Sequence, residues 1–215
     1  MSRLPNWIRQ HLAAIRAVIV LTLITGAVYP LVVFGIAQAA FGHQANGSQV
    51  TYHGKVAGSS LICQQFVDAT GNPLPQYFQS RPSSASDPAA KSGTAETAGC
   101  DPLFSGASNL GPDNPKLVTN VGANRTAAAR LNGVSPASVP PDAVTSPGSG
   151  LDPDISPQYA YLQVNRVASA RHQDPAKVRA LVTSHIQGRS AGFLGEPRVN
   201  VLQLNLALDV MSGWR

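Results

Sequence analysis

The most pronounced pattern along the chain is a run of apolar residues near its N-terminus. Residues 17–37 contain no charged side chain. At about 1.5 Å rise per residue, a helix of this length covers the roughly 30 Å hydrocarbon core of a bilayer. Buried helices of soluble proteins rarely continue so far without a charge, so the pattern predicts one transmembrane helix over residues 17–37.

The charges beside this run predict its direction. Three arginines precede it, namely Arg3, Arg9 and Arg16. The first fixed positive charge after it is Lys55. Because basic flanks stay in the cytoplasm, residues 1–16 are predicted to be cytoplasmic and residues 38–215 to form a periplasmic or extracellular domain.

A cleaved signal peptide is the alternative interpretation of the same run. Ala37, Gln38 and Ala39 have the spacing of a signal-peptidase site. The hydrophobic regions of signal peptides span roughly 7–15 residues, and this run is longer. A retained anchor is therefore favoured, and both interpretations leave the following domain outside the cytoplasm.

Three residues within the run favour contact with another helix. Pro30 removes a backbone donor and is predicted to kink the helix, which leaves a carbonyl that lipid cannot satisfy. Gly26 and Gly35 are small positions at which a second helix can approach closely. Because Gly and Pro are common in membrane helices generally, the alternative is that these residues mark no partner.

Beyond the membrane run the pattern changes to short strands and loops rich in Gly and Pro. Alternating residues predict strands at 49–52 and 60–63. Residues 67–115 contain seven prolines and no periodic pattern, which predicts a long loop. A second loop is predicted over 132–155, with a tight, structured turn at 149–153.

Helical periodicity predicts three helices in the second half of the chain. Each begins with an N-cap residue followed by proline, at residues 114–115, 156–157 and 174–175. The predicted buried faces are Leu117, Val118, Val121, Ala128 and Leu131 on the first, Ala160, Val164, Val167 and Ala168 on the second, and Val178, Leu181, Val182 and Ile186 on the third. The third helix is predicted to end at Gly188. A strand at 199–201 that leads into a helix completes an α+β domain.

Charge and composition argue against a nucleic-acid-binding role. Charged residues make up 13% of the chain, about half the usual share of a soluble domain. Of the formal net charge of +5, three charges come from the arginines before the membrane run. The remaining basic residues are dispersed rather than gathered into a stripe, so no nucleic-acid partner is predicted.

Common catalytic and metal-binding motifs are missing from the sequence. It contains no G-x-S-x-G, S-x-x-K, H-E-x-x-H or phosphate-loop pattern. The five histidines lack metal-ligand spacing, and two cysteines cannot form a four-ligand zinc site. No catalytic residue and no metal ligand is therefore predicted.

The two cysteines, Cys63 and Cys100, are candidates for a disulfide. Outside the cytoplasm such a bridge is chemically permitted. By the loop-entropy estimate, a bridge across about 37 residues stabilises the fold by up to about 4 kcal/mol. The alternative is two free thiols.

Six short motifs follow one another along the chain, at residues 58–66, 77–83, 108–112, 149–157, 163–171 and 196–202. In this order, behind one N-terminal span, they resemble the C subunit of the bacterial Kdp-type potassium-transporting ATPase. Each motif alone is weak, but six in order are specific. Two positions depart from the family pattern, since Asp154 stands where the family usually has His and Cys63 where it usually has Gly.

The resemblance implies an accessory, non-catalytic subunit of a high-affinity potassium uptake pump in the bacterial inner membrane. In that family a P-type subunit hydrolyses ATP and a channel-like subunit carries potassium, so both ligands are expected on those partners. The C subunit is described as needed for assembly and as raising the ATP affinity of the catalytic subunit. From outside, such an effect must pass through the transmembrane partners as a coupling free energy. The exterior domain is predicted to cap the channel-like subunit.

Several residues of the exterior domain are candidate partner contacts. They are Ser149, Gly150 and Asp152 in the predicted turn and Gln163, Arg166 and Arg171 on the second helix. The alternative for the first three is turn geometry, and for the other three it is internal bracing or a solvated face. The alternative for the whole chain is a membrane-anchored exterior binding module unrelated to a pump.

Overall fold

The computed structural model describes residues 5–90, 93 and 98–213. Arg3, one of the three arginines used above to predict the orientation, lies outside the described residues. The chain divides into two compact units, Met1–Ser48 and Gln49–Arg215. The mixture of helices and small sheets described below confirms the α+β class.

The first unit is an almost unbroken helix. It consists of α1 (Asn6–Leu23), a π-helical turn (Ile24–Val28) and α2 (Tyr29–Ala40), and a short helix α3 (Gly42–Ala45) follows. Among the described residues, this run is the one helix long and apolar enough to cross a membrane. It is longer than the predicted span because it begins in the polar N-terminal segment.

The π-helical turn ends two residues before Pro30. Proline has no backbone N–H and its ring collides with the carbonyl four residues earlier in a regular α-helix. Here the Tyr29 N–H donates to the carbonyl of Ile24, five residues back. Pro30 therefore interrupts the α-helical pattern without ending the helix.

A Cβ added at Gly26 or Gly35 would meet nothing within 4 Å, so both positions leave the backbone open to approach.

The second unit begins with a β-hairpin. Strands β1 (Gln49–Tyr52) and β2 (Lys55–Ser59) pair antiparallel. His53 and Gly54 form the turn with φ values of 50° and 74°, as a tight two-residue hairpin requires. The predicted strand at 60–63 is therefore wrong. The chain reverses at His53–Gly54, so the returning strand comes earlier and ends at Ser59.

A second, antiparallel sheet has the strand order β3-β5-β4. Its strands are β3 (Asp154–Ile155), β4 (Ile186–Gln187) and β5 (Arg198–Asn200). Ile186 was predicted to lie on the third helix, which is wrong because that helix ends at Ser184 and the chain becomes extended.

Four longer helices complete the domain. They are α4 (Pro115–Asn132), α5 (Pro157–Ala170), α6 (Pro175–Ser184) and α7 (Val201–Ser212). The predicted N-caps of the first three are confirmed, because the side chains of Asn114, Ser156 and Asp174 each accept a hydrogen bond from a backbone N–H of the first turn.

The core lies between α5, α6, α7 and β5. It contains the whole predicted face of α5, together with Val178, Val182, Val199, Leu204 and Leu208. The predicted face of α4 is confirmed in part. Ala128 is buried and Val121 is partly buried against the core, but Val118 is 67% exposed. The fully buried residues of α4, Ala128 and Ala129, lie near its C-terminal end.

The described residues between Ser59 and Pro115 form no helix and no strand of two or more residues. One isolated bridge pairs Val67 with Pro73, and a disulfide joins Cys63 to Cys100, with 5.5 Å between their Cα atoms. Helix side chains bind part of this region, residues 75–79, and loop–loop hydrogen bonds hold other parts.

Candidate functional site

The candidate polar residues converge on one extended stretch of backbone, residues 75–83, which we call the clamped segment. It has no sheet partner, yet Phe78 is fully buried and Gln79 and Ser80 are nearly so. Buried backbone N–H and C=O groups need hydrogen-bond partners. In this domain helix side chains provide them.

Two side-chain amides make the backbone hydrogen bonds that a neighbouring strand would otherwise make. On α5, Gln163 accepts from the Gln79 N–H (2.7 Å) and donates to the Gln79 carbonyl (3.1 Å). On α7, Asn205 accepts from the Phe78 N–H (2.8 Å) and donates to the Phe78 carbonyl (2.9 Å). Both amides are 0% exposed. Each therefore satisfies both backbone groups of one buried residue.

Arg166, one turn further along α5, holds the start of the clamped segment. Its guanidinium donates to the carbonyls of Pro75 and Tyr77 and to the side chains of Asn132 and Gln163. Burial lowers the pKa of Arg166 to about 10. The side chain is therefore still charged at neutral pH, and its five N–H donors are enough for these four acceptors.

Arg171 fixes the same segment to the end of α7. Its Nε donates to the Gln76 carbonyl (2.7 Å), and its Nη2 forms an ion pair with Asp209 (2.6 Å). The guanidinium also lies 4.6 Å from the ring centroid of Tyr77. The Arg171 side chain is 0% exposed, so its charge is neutralised inside the domain.

The predicted turn at 149–153 anchors the far end of the clamped segment. Asp152 forms an ion pair with Arg81 (3.0 Å). The Gly150 carbonyl accepts from the Ser83 hydroxyl (2.6 Å), and the Ser149 carbonyl accepts from the Gly106 N–H (2.9 Å). The turn therefore joins loop segments that are far apart in sequence.

Gly150 is required at the centre of this turn. Its φ of +71° lies in the left-handed region, and an added Cβ would come within 2.7 Å of the Gly106 carbonyl and 2.8 Å of the Ala85 Cβ. The structure thus explains why glycine occupies position 150: three backbone segments approach one another too closely there for a side chain.

The disulfide closes the same junction. The Cys63 N–H donates to the Leu151 carbonyl (3.0 Å), and the Cys100 N–H donates to the Ser83 hydroxyl (2.9 Å). Both cysteines are buried. The bridge therefore fastens two loops to the turn and to the clamped segment.

Asp154, which stands where a histidine was expected from the resemblance, lies beside this junction. It forms an ion pair with Arg198 (2.9 Å), and Asn200 lies 3.4 Å from its other oxygen. Burial raises the pKa of Asp154, the charge of Asp152 raises it further, and Arg198 opposes both. Asn200 is buried as expected, donates to the Ser60 carbonyl and caps α7.

These contacts bear on the candidate partner residues. Gln163, Arg166 and Arg171 make internal contacts with the clamped segment, as the bracing alternative expects; their contact with a partner stays a prediction. Ser149, Gly150 and Asp152 shape the turn. Gly26, Pro30 and Gly35 lie in the N-terminal helix, in the other unit of the chain.

Sequence reasoning missed Asn205 and Phe78. The signal for Asn205 is an amide flanked by two leucines in the mostly apolar terminal helix. A buried amide at such a position needs a hydrogen-bond partner. The 77–83 motif was noted, but nothing in the sequence indicated that helix side chains would hold it.

A cleft of about 830 Å³ lies between α4, the clamped segment and the turn at Gly71–Pro73. Its described lining includes Arg81, Arg130 and Tyr159 and no carboxylate. Burial raises the pKa of Tyr159 to about 12, so its hydroxyl is protonated at neutral pH. The cleft therefore presents positive charge and hydrogen-bond donors.

Within the part of the chain that the structure describes, no group of three or more His, Cys, Asp or Glu could hold a metal ion. The buried polar side chains instead bind the backbone of the clamped segment.

Comparison with known proteins gives consistent matches. Residues 11–210 match the family model described as KdpC, the K⁺-transporting ATPase c chain. Three relatives carry the name potassium-transporting ATPase KdpC subunit. The Streptomyces avermitilis protein is 44% identical over 219 aligned positions, which cover 96% of each chain. The Streptomyces coelicolor protein is 46% identical over 96% of this chain and 95% of its own. The Mycobacterium tuberculosis protein is 48% identical over 94% of this chain and 98% of its own.

Proposed function

The chain belongs to the KdpC family of K⁺-transporting ATPase subunits, and from that membership we propose that it is the accessory, non-catalytic subunit of an ATP-driven potassium uptake pump. The observation that carries the proposal is a family match over residues 11–210, which include both the apolar helix and the clamped segment. A binding module unrelated to a pump is not compatible with this membership.

The proposed topology places residues 1–16 in the cytoplasm and the domain outside a bacterial plasma membrane. It is supported by the apolar helix and by the arginines that precede it. A reporter enzyme fused to the C-terminus should be active only in the non-cytoplasmic compartment. Activity of a cytosolic reporter at that position would reverse the topology.

Within the membrane, the proposed partner is the channel-like subunit. Gly26 and Gly35 leave the helix backbone open to approach, and Pro30 supplies no backbone N–H to the preceding turn. Small residues allow close contact with a second helix in lipid, and such a helix can also satisfy a carbonyl that proline leaves without its usual donor. These three residues are the proposed contacts of the anchor.

Outside the membrane, the domain is proposed to cap the ion entrance of the channel-like subunit. ATP and potassium are bound by the partner subunits in this proposal. The chain raises the ATP affinity of the P-type catalytic subunit by stabilising one conformation of its transmembrane partners, since coupling between separated sites requires differential binding to two states. The clamped segment, the 149–153 turn and the disulfide keep the cap rigid.

Purification of the pump from detergent tests this proposal. A tag on this chain should recover two larger membrane proteins in fixed proportion, and ATPase activity at limiting ATP should fall when the chain is omitted. Recovery of the chain alone as a monomer would contradict the proposal.

A further inference from the structure

The cleft between α4 and the clamped segment has the dimensions of a small-molecule site. Its volume of about 830 Å³ falls within the roughly 300–1,000 Å³ that is usual for ligand pockets. Its described lining lies within the second unit of the chain, and part of the wall is apolar, with Val67, Ala127 and Leu131 among its residues. The charged side chains of this lining are Arg81 and Arg130, so we call the feature the basic cleft.

Arg130 gives the basic cleft an uncompensated positive charge. It lies in the last turn of α4, and its side chain has no ion pair and no hydrogen bond with any residue that the structure describes. The charge of Arg81, by contrast, is balanced by its ion pair with Asp152, and its Nη2 also donates to the Thr145 carbonyl. The described wall therefore carries one net positive charge.

Two further donors in the wall of the basic cleft have no acceptor within the described part of the chain. Tyr159, on α5, is only 4% exposed, yet its hydroxyl makes no hydrogen bond there. The Nε of Arg81 is buried and likewise has no partner. Because buried donors in proteins normally have acceptors, the wall is short of acceptor atoms. A ligand that binds in the basic cleft must supply them.

The charge of the basic cleft and its apolar wall distinguish between classes of anion. A phosphate group carries a charge of roughly −1.5 to −2 at neutral pH, which exceeds the single uncompensated charge of Arg130. A carboxylate carries one negative charge, and its oxygens accept hydrogen bonds from guanidinium and hydroxyl donors. The apolar part of the wall matches a ligand whose remaining atoms are apolar.

We infer that the basic cleft binds a small organic monocarboxylate. Its carboxylate accepts hydrogen bonds from the Arg130 guanidinium and the Tyr159 hydroxyl, and its apolar body lies against Ala127 and Leu131. The two groups that hold the carboxylate come from different helices, α4 and α5, so the site exists only in the folded domain. The inference does not rest on the proposed function, because the whole site belongs to this chain.

Calorimetric titration of the full chain in lipid nanodiscs, with empty nanodiscs as the blank, tests the site. The probe is 3-phenylpropionate, and we expect saturable binding of one molecule per chain. Arg130→Gln and Tyr159→Phe should each weaken binding at least about tenfold, as expected for loss of a hydrogen bond to a charged group. Arg125→Gln is the matched control, because Arg125 is also exposed on α4 but is not part of the described lining. The control should bind the probe like wild type.

Two further probes test the class of ligand. The uncharged amide, 3-phenylpropionamide, has the same apolar body and should bind wild type at least about tenfold more weakly than the carboxylate. Inorganic phosphate should also bind more weakly. Equal binding of the amide, tighter binding of phosphate, or wild-type affinity in both Arg130→Gln and Tyr159→Phe would overturn the inference. Because Arg130 is exposed and phenylalanine keeps the buried ring of Tyr159, neither substitution removes core packing.

Discussion

Replacing Asn205 by leucine tests how the clamped segment is held. The substitution removes the two hydrogen bonds that Asn205 makes with the N–H and carbonyl of Phe78. Asn205 is 0% exposed and lies against the core, so water does not replace it. Each of the two buried backbone groups left unpaired costs about 1–3 kcal/mol, which predicts a total loss of about 2–6 kcal/mol. That is a large part of the 5–15 kcal/mol that stabilises a typical domain.

Urea unfolding of the full chain in detergent, followed by the near-ultraviolet circular dichroism of its tyrosines, measures this loss. Asn120→Leu is the matched control, because Asn120 is exposed on α4 and surface substitutions usually change stability by less than about 0.5 kcal/mol. If Asn205→Leu unfolds at the same urea concentration as the control, the clamped segment is not held by this amide and the reasoning fails.

Three further predictions concern the same domain. Gly150→Ala should lower the free energy of unfolding by more than about 1 kcal/mol, because a left-handed φ and the close approach of Gly106 both oppose a side chain; an unchanged urea midpoint would contradict this. Cys63→Ser should destabilise the domain by up to about 4 kcal/mol, and a reducing agent should have the same effect on wild type and none on the variant. Tyr159 has its pKa raised from 10.0 to about 12 by burial, so its contribution is complete below pH 10 and is lost as the pH rises through 12. Wild type should therefore lose up to about 3 kcal/mol more than Tyr159→Phe across this range, and parallel pH profiles of unfolding would refute the assignment.

The parts of the fold that depend on local chemistry could be predicted from the sequence. An N-cap side chain satisfies backbone N–H groups only two or three residues away, at the first turn of its helix. For this reason the sequence correctly predicts Asn114, Ser156 and Asp174 as N-caps. The apolar run near the N-terminus was equally local, since its length alone decides whether it can span a bilayer.

Features that depend on distant segments could not be predicted. Leu117 and Val118 continue an apolar period along α4, but the fully buried residues of that helix lie near its C-terminal end, and Val118 remains exposed. The partner of Asn205 lies 127 residues away in sequence. No periodicity in the terminal helix indicates which distant backbone its amide will bind.

The contacts of the candidate polar residues could not be predicted from the sequence either. Gln163, Arg166 and Arg171 were identified as important, yet a polar stripe on a helix does not reveal whether it faces a partner or an internal loop. The structure turns all three toward the clamped segment because its buried backbone has no neighbouring strand.

The central claim is that this chain serves a potassium pump, and potassium uptake tests it most directly. A strain that lacks the chain should take up potassium at limiting external concentration as poorly as a strain that lacks the catalytic subunit, and a plasmid copy of the chain should restore uptake. Uptake at the wild-type rate without the chain, measured where loss of the catalytic subunit abolishes it, would contradict the account.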